Sequence, residues 1–377
     1  MIDGMIGSRV KALREARKQS QSDIAQLLGF RDRQTVGQIE TGERKVSAQE
    51  LLTLLAHFDV PLERFTNPYL LSGNERFSWR QQGVTSADLE AFQLRAGEWI
   101  GAYRELSRQA GERLPSLMPR LGLTYTSSYE EAEAAGENVA RELDLGDVPS
   151  ARLAEVMEKR LGIVVLMVET IPGVSGAACT LPELNAVLIN RNDPPTRRNF
   201  DLAHELFHLL TWDTMPPQWM DGEMRDGSSQ SRKRVDRVEQ LANKFAAGVL
   251  MPTAALERLG EPSGDLVTWI NAAAGELGVS SSALRWQLVN YGRGPSALAG
   301  LPDEAFREGR VRGTETTPPL FSQRFVARVS SAVERGHLSA RRAAALTDLT
   351  LDEFAELCDT HGVDRPSALR EGLAPTA

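Results

Sequence analysis

Apolar residues fall at helical spacing through the first 66 positions of the chain, in four short runs. Val10, Leu13 and Ala16 mark the inner face of a helix over 8–18; Ile24, Ala25 and Leu28 mark that of a second over 21–28, capped by Ser20 and ended by Gly29. A third run, 33–40, stops at Thr41 and Gly42, and a fourth, 48–58, turns Leu51, Leu52, Leu54 and Leu55 inward. Short helices joined through a glycine-containing connection make the helix-turn-helix pattern. Residues 68–146 are polar, with helical periodicity over 87–109 (Leu89, Phe92, Ile100, Tyr103, Leu106) and over 129–143; the brief cluster Arg76, Phe77, Trp79 and Arg80 reads as packing. Element types then alternate: a helix over 150–161, a β-branched strand over 163–168, a loop at 173–176, a strand at 186–189 and an apolar helix within 199–212. Helical patterns return over 238–251, where Pro252 stops the run, and over 265–291 and 321–357. The pattern predicts a mainly α protein with a small β-sheet: an all-α unit (1–67), a helical connector (68–134), an α+β unit (135–295) and a C-terminal helical region (296–377).

The helix within 199–212 holds His204, Glu205 and His208 in HExxH spacing. Residues four apart lie one above the other on a helix face, so the two imidazoles can grip one metal ion with Glu205 beside it. Leu202, Ala203, Leu206, Leu209 and Leu210 would bury the same helix. The bland alternative, a core helix with incidental histidines, requires two of only five His in the chain to fall at this spacing around a Glu. Catalytic zinc takes three protein ligands and keeps a fourth position for water. Glu239 is the candidate third ligand, on a helix with Leu241, Phe245, Ala246 and Val249, and Asn243 stands one turn on, placed to hydrogen-bond a ligand. A solvated carboxylate is the alternative for Glu239, but no other acidic residue after His208 sits on so apolar a helix. Arg197 and Arg198 read as salt-bridge formers, His337 and His361 lie outside any ligand pattern, and no Tyr or His is placed to stabilise an oxyanion.

The run RRNFDLAHELFHLL, followed by ExxAN, FAA and LMP, resembles the ImmA/IrrE family of bacterial metallopeptidases, and GVSGAAC and AVLIN match the strands that family places before its HExxH helix. The likeness covers roughly residues 135–292. It implies a zincin-like α+β metallopeptidase domain in which His204, His208 and Glu239 hold Zn2+, with Mn2+ as the alternative, and Glu205 is the general base. It further implies a protein substrate, a transcriptional repressor cleaved in a stress response or on mobile-element induction.

SQSDIAQLLGF and VGQIETGERKVSAQELL resemble the Cro/repressor-type (XRE) helix-turn-helix family. That resemblance places the third helix in the major groove of a double-stranded DNA operator. Arg33, Gln34, Thr35 and Gln38 on its outer side are types that read base edges, while Gln21, Arg44 and Lys45 are suited to phosphates. A homodimer is expected, since one such unit reads only a few base pairs. A helical unit that binds protein without touching DNA is the alternative.

Charge narrows this picture. Residues 1–67 are net +1 and the remainder net −9, so any affinity for nucleic acid belongs to the N-terminus. Two distant cysteines, Cys179 and Cys358, and the lack of a bilayer-length apolar run or signal-peptide core predict a cytoplasmic protein that does not meet a membrane. Two further expectations concern substrate access. Residues 186–190 are the candidate edge strand for pairing with an extended substrate, an interior strand being the alternative. The aperiodic segment 213–234 is a candidate lid, with Asp213, Asp221, Glu223 or Asp226 able to reach the metal. The leading function is a DNA-binding regulator with a zinc-dependent endopeptidase domain; the rival is a non-proteolytic repressor or antitoxin, paired with a toxin, whose peptidase-like domain senses or binds a partner.

Overall fold

The computed structural model describes residues 2–71, 76–112, 120–216, 229–306 and 317–370. Five helices open the chain: α1 (Ile2–Ala16), α2 (Gln21–Leu27), α3 (Gln34–Thr41), α4 (Ala48–Phe58) and α5 (Glu63–Thr66). Ser20 and Ser47 cap α2 and α4 in reciprocal boxes, with Asp23 and Glu50 bonding back to the cap backbone. Val10, Ile24, Val36, Ile39, Leu54, Phe58 and Phe65 fill the core of this unit. Two positions that periodicity turns inward face solvent instead: Ala16 is exposed, and Leu52 is 59% exposed. α1 rotates to bury Ala12 and Arg14, whose guanidinium meets the buried Glu40 carboxylate at 2.6 Å.

β1 (Arg76–Gln81), α6 (Ser86–Gln109), α7 (Tyr129–Glu142), α8 (Pro149–Arg160), β2 (Val164–Val168), β3 (Val174–Leu181), β4 (Leu184–Asn190), α9 (Pro195–Leu210) and α10 (Ser229–Leu250) follow. After them come α11 (Thr253–Leu259), α12 (Leu266–Leu277), α13 (Ser281–Asn290), α14 (Ala297–Gly300), α15 (Gln323–Glu334), α16 (Ala340–Thr347), α17 (Leu351–Thr360) and α18 (Ser367–Arg370).

The strands form one sheet in the order β1-β3-β4-β2. A two-residue turn at Pro182 and Glu183 folds β3 and β4 into an antiparallel hairpin, and β2 lies parallel to β4 on its far side. The edge expected at 186–190 is therefore overturned: it is β4, bonded on both sides. β3 starts at Val174, so Ser175 and Gly176 belong to a strand and not to a loop. The outer side of β3 is taken by β1, which comes from the segment read as a polar helical connector.

Both faces of the sheet are covered, which explains the continuous apolar runs in β2, β3 and β4. Val165, Ala178, Val187 and Ile189 pack into a core shared with α7 to α13. Phe77, Trp79, Val164, Leu166, Ala177, Cys179, Ala186 and Leu188 point the other way, toward α6 and α15 to α17. On that side a row of rings runs from Phe77 against Trp79 (5.1 Å between centroids) through Phe92, Trp99 and Phe321 to Phe325. The Trp79 and Trp99 indole N–H groups each donate at 2.9 Å, to Gln93 and to the Leu346 carbonyl, so neither polar tip is buried unpaired. The connector and the C-terminal helices are thus joined through one face of the sheet.

α7 and α10 approach closely enough to exclude side chains at their crossing. A Cβ on Gly136 would collide with the Phe245 carbonyl and lie 2.9 Å from the Val249 nitrogen; one on Gly248 would collide with the Glu133 carbonyl. Two glycines facing opposite helices set the separation of these helices, and with it the position of the α10 turn that carries Glu239.

Candidate metal centre

α9 begins with Pro195 in its first turn, where the missing N–H costs nothing. It is buried on every side: Leu202, Ala203, Leu206, Phe207, Leu209 and Leu210 pack around it, and the polar residues Asp201, His204, Glu205 and His208 are buried with them. A helix inside a core carries such groups only if each finds a partner or a ligand.

The two imidazoles and Glu239 find one another. His204 Nε2 and His208 Nε2 stand 3.1 Å apart, and the Glu239 carboxylate lies 3.2 Å from the first and 3.5 Å from the second. One ligand atom from each of the three lies within 4.8 Å of the others. His204 Nδ1 faces Asn243 Oδ1 at 3.0 Å, which places the proton on Nδ1 and leaves the Nε2 lone pair toward the centre. His208 is kept neutral, its pKa lowered to about 3 by burial and by the neighbouring His204. Burial pushes the Glu239 carboxyl up, but the adjoining His204 imidazole, hydrogen-bonded to it and positively charged when it takes up a second proton, outweighs this and holds Glu239 below its ordinary value. The Glu239 side chain is 43% exposed, so the centre opens to solvent on that side.

Glu205 is fully buried, and neither of its oxygens makes a full hydrogen bond among the described residues; the Ala178 backbone N–H leans toward it. Burial raises its carboxyl well above the ordinary range, opposed by Arg80 and reinforced by Glu239 and Asp201. A Cβ on Gly176 would lie 3.5 Å from Glu205 Oε1, so β3 passes directly beside this carboxylate.

Arg80, read from the sequence as part of a packing cluster, stands beside the centre. It pairs across the ladder with Gly176, and its Nε meets Asp201 Oδ1 at 3.0 Å, while its buried Nη1 has no hydrogen-bond partner among the described residues. Its guanidinium also lies over the Phe200 ring, 5.5 Å from the centroid. A signal existed in the sequence. Asp201 and Glu205, four apart on an apolar helix, require a cation, and Arg80 alternates with Phe77 and Trp79 as a strand residue does.

Arg197 meets Asp193 and Asp201 at 3.6 and 3.7 Å, while Arg198 donates to the carbonyls of Arg191 and Asp193. Asp213 pairs with Arg120 at 2.6 Å; Asp221, Glu223 and Asp226 lie outside the described residues.

In the N-terminal unit, Arg33, Gln34 and Gln38 are exposed at and along α3, with Thr35 half-buried, and Asp32 bonds the Gln34 and Thr35 amides. Arg33 is the N-cap residue and not part of the helix. Lys45 is exposed. Two of the residues assigned to phosphates are engaged within the unit: Gln21 donates to Glu40 at 2.9 Å, and Arg44 holds Glu50 at 2.7 Å over the Phe30 ring.

These features define the class: a helix-turn-helix protein that carries a metallopeptidase-type domain. Residues 158–288 match the peptidase M78 family model, described as IrrE N-terminal-like domain, and residues 6–66 match a model described as Helix-turn-helix domain. The chain therefore carries an IrrE N-terminal-like domain behind a helix-turn-helix domain. No curated protein matches it. Among solved structures, a Mycobacterium tuberculosis transcriptional regulator is similar at 20% identity over 50% of this chain and 51% of its own, with a TM-score of 0.32. The chain thus spans about half the length of that structure.

Proposed function

We propose that this protein is a cytoplasmic transcription regulator that binds a double-stranded operator as a homodimer and uses a zinc-dependent site to hydrolyse a peptide bond in a repressor-type protein. The observation that carries the reading is the convergence of His204, His208 and Glu239 within 4.8 Å, beside a buried carboxylate without a full hydrogen bond. Two nitrogens and one oxygen suit Zn2+ better than Mn2+, which favours oxygen ligands. A cation held there supplies Lewis acidity toward a carbonyl oxygen and acidifies water. Glu205 takes the proton of the attacking water and returns it to the leaving amine, a task helped by the burial that raises its affinity for a proton. Asn243 fixes the orientation of His204, and Arg80 balances the buried charge of Asp201. The test is Glu205→Gln in zinc-loaded protein incubated with repressors encoded nearby. Cleavage should fall by at least ~100-fold while operator binding stays unchanged; equal cleavage by both proteins would remove Glu205 from the reaction.

A second reading has an observation of its own. In a non-proteolytic repressor or antitoxin, the metal domain would sense a signal or hold a partner such as a toxin, and the pairing of β1 with β3 closes the strand edge nearest Glu205. For either reading, Gln38→Ala should weaken operator binding by about 1–3 kcal/mol with loss of discrimination at one base pair. A uniform loss across all sequences in a binding-site selection would move Gln38 from base to backbone contact.

A further inference from the structure

We propose that β1 occupies, within the same chain, the edge on which an extended polypeptide would pair beside Glu205, so that β1 and such a polypeptide exclude one another. In the closed state the site accepts short metal-chelating groups that arrive past Glu239. The inference rests on the metal-site reading above and specifies what that site admits.

β3 is the strand at issue, because Gly176 and Ala178 are the backbone positions that lie against Glu205. A strand added antiparallel to its free side would carry successive carbonyls past that carboxylate. β1 pairs along this side from Arg76 opposite Thr180 to Gln81 opposite Val174, with a register shift between Arg80 and Gln81 that skips Ser175. The pairing continues past the strand end, where the Gln82 N–H donates to the Gly173 carbonyl at 2.8 Å. Three anchors hold it. Phe77 and Trp79 are buried in the ring row, Arg80 is paired with Asp201 on α9, and Ser175 Oγ reaches the Arg80 carbonyl at 3.4 Å.

The other edge offers no substitute. β2 is separated from β3 by β4, and the Phe321 N–H already donates to the Met167 carbonyl at 2.6 Å. With His204, Glu205 and His208 almost fully buried, the half-exposed Glu239 marks the open approach.

The experiment uses zinc-loaded full-length protein, with acetohydroxamate as a short probe and a hexapeptide hydroxamate as an extended one, titrated calorimetrically while amide exchange of residues 76–81 is followed. The proposal expects both probes to bind the native protein within about threefold of each other with β1 amides protected. In Phe77→Ala/Trp79→Ala, which loosens β1, the peptide probe should gain at least ~tenfold, the worth of a few strand hydrogen bonds. Should the double variant not fold, the exchange data on native protein decide alone. On the native protein, a tenfold advantage of the peptide probe with β1 still protected overturns mutual exclusion. Rapid exchange of β1 in ligand-free protein, or no gain in a folded double variant, also overturns it. If neither probe binds a chain that retains its fold, the metal-site reading has failed and the proposal falls with it.

Discussion

Glu239→Gln should lower Zn2+ affinity by at least ~100-fold, since removal even of an outer hydrogen-bond partner of a ligand costs about 10–100-fold. The substitution keeps shape and replaces an anionic oxygen donor with a neutral amide, leaving two imidazoles where zinc wants a third protein ligand. Asn243→Ala should fall in the 10–100-fold class itself, because it frees His204 Nδ1 from the bond that orients the ring. The metal-free fold should change little, as the Glu239 side chain is 43% exposed and its replacement leaves no deep cavity. Competition against a chromogenic chelator gives the affinity, and thermal unfolding in EDTA gives the fold. Zinc binding that survives Glu239→Gln at near-native affinity would mean that another group completes the centre.

Arg80→Ala should have the second large effect, on stability. Removing one partner of a buried ion pair typically costs roughly 3–5 kcal/mol. Arg80 is 26% exposed and Arg197 also approaches Asp201, at 3.7 Å, so about 2–3 kcal/mol is the expected loss here. The loss should depend on pH in a direction fixed by Asp201, whose carboxyl burial raises above its ordinary value of 3.8, with Arg80 opposing that rise. A carboxyl with a raised folded pKa binds its proton more tightly in the folded state. Its stabilisation is complete below the unfolded value and is lost as pH climbs through the folded one. Without Arg80 the folded value climbs further, so the deficit should be greatest at neutral pH and shrink at mildly acidic pH, as Asp201 takes up its proton. Urea unfolding of metal-free protein at both pH values measures it, and a deficit independent of pH would show that Asp201 is not the group left uncompensated.

What could be read from sequence was local. HExxH on an apolar helix needs only the 3.6-residue period to bring His204 and His208 together, and the ExxAN helix declares its buried side by the same period. Glu239 and Asn243 lie together on α10, and His204 meets both. β1 escaped for the opposite reason. Its partner β3 is about a hundred positions away, and six residues with two arginines carry too short an alternation to outweigh the polar helices around them. Strand order was equally out of reach, since β4 buried on both faces presents an apolar run whether it lies inside the sheet or at its rim. In the N-terminal unit, the side chains that Gln21 and Arg44 engage, Glu40 and Glu50, could not be seen from a pattern that recognises only their polarity.

The ring row from Phe77 to Phe325 bears on how this molecule can be taken apart. The IrrE N-terminal-like match begins at residue 158 and ends at 288, yet Trp79, Phe92 and Trp99 precede that stretch and Phe321 and Phe325 follow it. A fragment trimmed to the matched span would leave the rear of its sheet wet and oily, a surface that invites self-association. The smallest self-sufficient piece therefore joins sequence from both flanks of α9, whereas the described residues of the N-terminal helix-turn-helix unit fill a core of their own.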